Sequence, residues 1–406
     1  MKPRFQIIEG GITTPPGYKA ASVRAGIKES RTRDDLALLV SEAPGAIAGT
    51  FTTNRVKAAC VKLCERHLIW GQGQAILVNA GNANACTGEQ GIADAERMAE
   101  RTAELLGIAK NLVFVCSTGT IGVPLPMTKI EAALPRLLER LAPGGGSAMA
   151  EAILTTDTVR KEVAARLVVD DRTITIGGMA KGSGMIAPNM ATLLGFLTTD
   201  AAVDARALQL CLHHAVEHSF NRLVVDGDQS TNDTVLFLAN GLAGNRLLDR
   251  KHPAWHAFCR AVDEVCRQLA LKLIRDAEGA TKLITVRVST AASRHDARLA
   301  ARAIACSPLV KTAWHGADPN WGRIVAALGY SGARFQESQL DIACDGLLVV
   351  KGGKTAEGVT PEDLRSIYTR KEFVVRVELH AGRSEYTVYT CDLSPAYVEI
   401  NAAYMT

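Results

Sequence analysis

Lys181-Gly-Ser-Gly-Met-Ile-Ala-Pro-Asn-Met-Ala191 runs straight into Thr192. The stretch is a loop of small, turn-forming residues that delivers one threonine after an alanine. A threonine hydroxyl is a weak nucleophile until a neighbouring base takes its proton. Cutting the Ala191–Thr192 bond would free an α-amino group on the same residue. With a reference pKa of about 7.7–8.0, that amine is a base poised near neutral pH. This is the N-terminal-threonine route to acyl transfer, with Thr192 as nucleophile. The plainer reading is a flexible glycine loop before a buried strand, and the rest of the chain decides between the two.

On either side of the loop the pattern is strand-like. Residues 163–169 and 173–176 alternate polar and apolar around Asp170-Asp171-Arg172, which predicts a hairpin feeding the loop. Residues 193–197 read as a buried strand. Two amphipathic helices follow, one with Leu208, Cys211, Leu212, Ala215 and Val216 at helical spacing after the capping candidate Asp204, the other with a stripe from Phe258 to Leu273. A strand at 283–288 opens a region with one helix (297–304). The expected ending is a hairpin of 373–379 against 385–389 around Ala381-Gly382-Arg383. Upstream, Pro143-Gly-Gly-Gly-Ser147 reads as a linker after a helix at 129–141. Strands and helices alternate without a strict βαβ rhythm, so a layered α/β or α+β fold is expected rather than a doubly wound parallel sheet.

The bulk numbers describe an ordinary globular chain: 406 residues, 47% hydrophobic, 22% charged and a net charge of +4. No Lys/Arg block suggests nucleic acid, and no apolar run approaches the ~18–20 residues that span a bilayer. The first ten residues lack a signal-peptide core, so a cytoplasmic protein is expected. The ten cysteines form no Cys-x-x-Cys pair, and Cys60 and Cys64 lack the partners of a zinc site.

Other segments carry candidate chemistry. Cys116-Ser-Thr-Gly-Thr-Ile-Gly122 follows an apolar run, so Thr118 and Gly119 sit at a strand end where a hydroxyl and an amide can converge on one oxyanion. The plain alternative is a strand-to-turn transition. The asparagine-rich stretch 79–88 reads as a hydrogen-bonded structural turn. Glu278 comes at the C-terminal end of the long helix, where the dipole disfavours a carboxylate; function or simple exposure would each explain it. In the tail, Ile400 and Tyr404 can act as anchors, leaving Asn401 and Thr406 to face a pocket. His214 and His218 share a helix face but lack the metalloprotease glutamate, and read as surface residues. The glycine stretches lack full phosphate-loop spacing, and no Gly-x-Ser-x-Gly elbow is present.

Taken in order, these segments resemble the ornithine acetyltransferase family, the glutamate N-acetyltransferases of the cyclic arginine pathway. The stretches that carry the likeness are Phe51-Thr-Thr-Asn-Arg-Val56, Asn79-Ala-Gly-Asn-Ala-Asn-Ala-Cys-Thr-Gly88, Ser117-Thr-Gly119, Thr155-Thr-Asp-Thr158, the loop 181–192, Asp226-Gly-Asp-Gln-Ser-Thr-Asn-Asp233, Asp318-Pro-Asn-Trp-Gly-Arg323, Asn401 and Thr406. They span nearly the whole chain. One departure is Ala80, where serine is common in the family.

The resemblance implies a self-processing α/β acyltransferase fold similar to a group of aminopeptidases and amidases. It implies cleavage between Ala191 and Thr192 into segments 1–191 and 192–406. The second segment would divide into 192–282, completing the catalytic body, and 283–406, a smaller subdomain whose tail returns to the site. Thr192 would be the nucleophile, Thr118 and Gly119 the oxyanion hole, and Thr155, Lys181, Thr192, Glu278, Asn401 and Thr406 substrate-binding. N-acetylornithine and glutamate would be the substrates, with acetyl-CoA open as a second donor. Neither metal nor cofactor is expected, and two α with two β segments would form a heterotetramer. The same machinery with water as acceptor would make an aminopeptidase or amidase.

Overall fold

One long strand, Leu36–Phe51, organises the larger sheet. Its first part pairs antiparallel with Gln72–Asn82 and with Tyr18–Val23, and its second part with Thr234–Ala239. The register shifts between Val40 and Gly45, around Pro44, which has no N–H to give to a ladder. The computed structural model describes residues 5–30, 32–187 and 193–403. Among them this sheet has nine strands. It runs Phe5–Ile8, Lys161–Val169, Arg172–Lys181, Leu194–Thr199, Thr234–Ala239, Leu36–Phe51, Gln72–Asn82 and Val113–Thr120, with Tyr18–Val23 paired beside the long strand.

Both faces are apolar because the sheet is covered twice. Alternate residues of one strand go to different clusters: Leu36 and Leu38 pack under the helices Ala59–Leu68, Gly88–Leu106 and Met127–Glu139, while Ala37 and Leu39 face inward. The inward cluster also holds Phe114, Met179, Phe196 and Leu236, from both ends of the strand order. On the far side Ala205–His218 and Trp255–Arg275 cover the other half. The result is a helix–sheet–sheet–helix layering, consistent with the layered α/β fold expected from the sequence. Ten buried residues stripe Trp255–Arg275, and each large apolar side chain among them contributes roughly 1.5–3 kcal/mol. Asp204 caps the other helix, accepting from Ala207 N at 2.9 Å.

A second sheet of seven strands among the described residues has its own core, with Trp314 and Phe373 in edge contact. Six of its strands lie between Leu283 and Cys391, and the seventh is Leu223–Val224, parallel to Ser384–Cys391.

Three sequence expectations change here. The region after 283 holds more than one helix: Arg294–Cys306 is followed by Pro308–His315, Gly322–Gly329, Pro361–Tyr368 and Pro395–Ala403. Residues 143–147 are not a linker: Pro143–Gly145 is a short 3-10 helix continuing into the helix Gly146–Ala152, and Ala142 pairs with Ala20. The hairpin also fails, because Glu372–Glu378 and Ser384–Cys391 flank Leu283–Ala291 on opposite sides, one parallel and one antiparallel. The alternating pattern identified both strands, but a central strand from elsewhere in the chain took the space between them. The hairpin predicted before the loop is present, Lys161–Val169 pairing antiparallel with Arg172–Lys181.

Candidate active site

The strand Val113–Thr120 runs parallel to Gln72–Asn82, with Thr118 beside Ala80 and Gly119 beside Gly81. Gly119 has φ +131°, and a Cβ there would lie 2.3 Å from the Gly81 carbonyl carbon. Only glycine fits there. The asparagines nearby are structural, as expected. Asn79 Nδ2 donates to Asn82 O at 2.8 Å, and Asn82 Nδ2 to Val123 O at 3.0 Å. Ser117 Oγ donates to Asn79 Oδ1 at 2.6 Å.

Lys181 ends the strand Arg172–Lys181 and is 3% exposed. Its Nζ donates to Thr155 Oγ1 at 2.7 Å and lies 3.5 Å from Thr118 Oγ1 and from Asp157 Oδ2. Asp157 Oδ1 accepts from Gly182 N at 2.7 Å and from Lys161 Nζ at 2.6 Å. Lys161 also reaches Asp276 Oδ2 at 2.6 Å. Burial opposes the charge on Asp157, but the two lysine ammoniums and these hydrogen bonds hold its carboxyl well below the usual carboxylate range. Four alternating charges thus run from the half-buried Asp276 through the buried Lys161 and Asp157 to Lys181. Asp157 had no assigned role in the sequence reading; the signal was Lys161, a charge at an inward position of an alternating strand.

Glu278 lies three residues beyond the helix Trp255–Arg275 and is 7% exposed, so exposure does not account for it. Its amide donates to Ser183 O at 2.9 Å. Oε1 accepts from Thr156 Oγ1 at 2.7 Å, and Oε2 from Asn401 Nδ2 at 2.8 Å. Thr156 Oγ1 also lies 2.7 Å from Ser183 Oγ. A Cβ on Gly184 would meet Glu278 Oε2 at 2.2 Å, so this glycine admits the carboxylate. Thr156 and Ser183, absent from the sequence-derived candidates, are legible only once the chain is folded.

Ala191, Thr192 and Thr406 lie outside the described residues. The residues flanking the junction are held by one segment, 226–233. Met185 N donates to Asp226 Oδ2 at 2.5 Å and Leu193 N to Asp233 Oδ1 at 3.0 Å. Next to Asp233, Asn232 Nδ2 donates to Ser117 O at 2.8 Å and to Ala83 O at 2.6 Å, tying the same segment to the Thr118 strand. Burial pushes the Asp233 carboxyl well above its ordinary range.

Thr118, Gly119, Thr155, Lys181, Glu278 and Asn401 line one cleft. Every predicted site residue among the described ones is therefore gathered in one place. The cleft offers a buried ammonium, a buried carboxylate and several hydroxyls, a set suited to a small molecule carrying both charges. Asp341, Glu378 and His380 bring three ligand atoms within 4.8 Å of one another, on the smaller sheet and outside the cleft. His214 bonds Asp263 at 3.1 Å and stacks on His218, as surface residues do.

The ArgJ family profile matches residues 19–406. The chain belongs to the ArgJ family. It is 51% identical over 403 residues to the arginine biosynthesis bifunctional protein ArgJ of Symbiobacterium thermophilum, covering 98% of this chain and 99% of that one. It is 46% identical over 405 residues to the protein of the same name from Caldanaerobacter subterraneus subsp. tengcongensis, covering 99% and 100%. A solved ornithine acetyltransferase from Mycobacterium tuberculosis, complexed with ornithine, shares 41% identity with a TM-score of 0.43, covering 47% of this chain and 99% of that one. Membership makes this chain an acyltransferase of arginine biosynthesis acting on small molecules. Among the described residues, no helix is long and apolar enough to cross a membrane.

Proposed function

We propose that the chain cleaves itself between Ala191 and Thr192 and then moves an acetyl group from N2-acetylornithine to glutamate. The observation that carries this reading is the meeting of Lys181 and Glu278 with Thr118 and Gly119 in one cleft. In the precursor, Thr192 Oγ attacks the Ala191 carbonyl carbon, the acyl group passes from nitrogen to oxygen, and water hydrolyses the ester. The products are a carboxylate on Ala191 and a free amine on Thr192.

In the cut enzyme that amine takes the hydroxyl proton while Oγ attacks the acetyl carbonyl. Thr118 Oγ1 and the Gly119 amide donate to the oxyanion. When it collapses, the C–N bond breaks and the proton goes to the leaving amine of ornithine. The glutamate amine then attacks the acetyl-threonine ester, giving N-acetylglutamate and restoring the hydroxyl. Lys181 receives the substrate carboxylate and Glu278 its ammonium, with Thr155, Asn401 and Thr406 completing the contacts. The chemistry uses no metal or redox cofactor. Acetyl-CoA serves as a second donor by the same ester. The working form is a cytoplasmic heterotetramer of two α and two β segments.

The test is Thr192→Ala. A single uncut band at 43.3 kDa with no transfer is expected, against two bands of about half that size for the parent. A variant that still splits at this bond sinks the assignment. Free acetate in place of acetylglutamate, from the parent enzyme, would make it an amidase instead.

A further inference from the structure

Residues 153–160 lie between the helix Gly146–Ala152 and the strand Lys161–Val169 and belong to neither. Two carboxylates shape this segment. Asp157 Oδ2 accepts from Thr155 N at 3.3 Å, and its Oδ1 from Gly182 N at 2.7 Å. Asp276 Oδ2 accepts from Thr158 N at 3.0 Å and Val159 N at 3.3 Å, and its Oδ1 from the Thr158 hydroxyl. Lys161 Nζ joins the two carboxylates at 2.6 Å each and donates to Val159 O at 3.1 Å, so all three of its donors are used.

The same segment touches both charges of the cleft. Thr155 Oγ1 accepts from Lys181 Nζ at 2.7 Å, and the adjoining Thr156 Oγ1 donates to Glu278 Oε1 at 2.7 Å. Consecutive α-carbons are about 3.8 Å apart, so the ammonium and the carboxylate are held by neighbouring residues of one clamped segment. Asp276 stands two residues before Glu278, and its grip on Thr158 and Val159 ties the turn bearing Glu278 to that segment. Asp157 does the same for the other end, through Gly182 N and Lys181 Nζ. A buried ion pair often stabilises a fold no better than apolar side chains of its size, so this one calls for another use.

We propose that Asp157, Lys161 and Asp276 are positioning residues that set chain-length specificity. They hold Lys181 and Glu278 at one spacing, and the cleft thereby selects N-acylated diamino acids by the number of methylenes between carboxylate and ammonium. The inference rests on the substrate contacts given above to Lys181 and Glu278. A matching substrate reaches both charges with its acetyl carbonyl against Thr118 and Gly119. A chain one methylene longer or shorter reaches both only with that carbonyl displaced.

The test compares three acetyl donors by kcat/KM: N2-acetylornithine, N2-acetyllysine with one methylene more, and N2-acetyl-diaminobutyrate with one fewer. A single methylene is typically worth roughly tenfold or more, and wild type should prefer acetylornithine over both by that margin. Asp157 and Lys161 are the deeper pair, so the arm to vary is Asp276. Asp276→Asn drops the charge, and Asp276→Glu keeps it on a longer arm. Each should cut the preference by about fivefold or more at temperatures well below its melt. A merely structural role would slow all three donors alike. A preference within about twofold of wild type in either folded variant, or no preference in wild type, overturns the proposal. In addition, Asp276→Asn should take little further preference from Glu278→Gln, because both act through one carboxylate; fully additive losses overturn the proposal too. Wild type that transfers acetyl from none of the three donors sinks the parent reading instead.

Discussion

Asn401 Nδ2 donates to Glu278 Oε2 at 2.8 Å, across 123 residues of sequence. The helix Pro395–Ala403 that carries Asn401 has no buried residues, so it reaches the site by polar contacts rather than by packing. Its Tyr397 hydroxyl lies 3.3 Å from Asp226 Oδ2, on the segment that also holds Met185. The tail thus completes a cleft it contributes little to folding.

Asn401→Ala should therefore separate binding from stability. Asn401 is exposed, and surface truncations away from special features usually stay within about 0.5 kcal/mol. The proposed contact of Asn401 with the charged substrate is a separate hydrogen bond, worth roughly 1.5–3 kcal/mol, so kcat/KM should fall by tenfold or more. Thermal melts and steady-state kinetics on one preparation check both halves; a large drop in melting temperature would contradict the role given to the tail.

Gly184→Ala tests the approach of the carboxylate from the other side. The added methyl would overlap Glu278 Oε2, and the flexible end of the glutamate must retreat from Thr156 and Asn401. Substrate affinity should fall as it does for Glu278→Gln, and the double variant should be little worse than either alone, since both remove one interaction. Additive losses would mean that the two residues act separately.

Thr118→Val keeps the shape and removes the hydroxyl. Loss of one oxyanion donor typically costs about 10²–10³ in kcat. The expected signature is a drop in kcat with KM nearly unchanged. Because Thr118 Oγ1 lies 3.5 Å from Lys181 Nζ, a rise in KM of similar size would assign it to substrate binding instead.

Asp157→Asn should be the most damaging to the fold. It leaves Lys161, which is 0% exposed, and Lys181 without the charge between them, and breaking a buried pair costs about 3–5 kcal/mol. The pH dependence has a definite sign. The folded carboxyl titrates below its ordinary value, so its contribution is complete above about pH 4, the unfolded value, and is lost as pH falls. Acid melts of wild type should show that loss, and the variant should lack it.

Asp233 has the opposite sign. Its carboxyl is raised by burial, so in uncut Thr192→Ala protein its contribution is complete below about pH 4 and lost as pH rises toward the folded value. Asp233→Asn in that background should flatten the melting temperature against pH. A profile unchanged by the substitution would show that the carboxyl is ionised in the uncut fold.

Much of the site was legible because local chemistry announces itself. Gly119 follows an apolar run, and its φ and contact with Gly81 explain why a glycine stands there. Lys181 ends a strand whose alternation was clear. Glu278 stood out by sitting just beyond a helix end that disfavours it. Thr156 and Ser183 carried no such mark, because a hydroxyl in a polar stretch looks the same whether it faces solvent or a buried carboxylate, and Asp157 was marked only indirectly, by the inward-facing Lys161. The failed hairpin has the same origin: alternation reports that residues form a strand and which side is buried, but not which strand lies beside it.

The sequence by itself determined the alternating strands and striped helices, the glycine loop leading to Thr192, and family membership, since these depend on residue identity and spacing along the chain. Tertiary structure decided the rest. It set Leu283–Ala291 between its two partners, brought Asn401 to Glu278 and buried Lys181 against Thr155. Those are contacts between residues tens to hundreds of positions apart, and chain topology fixes them where local propensity cannot.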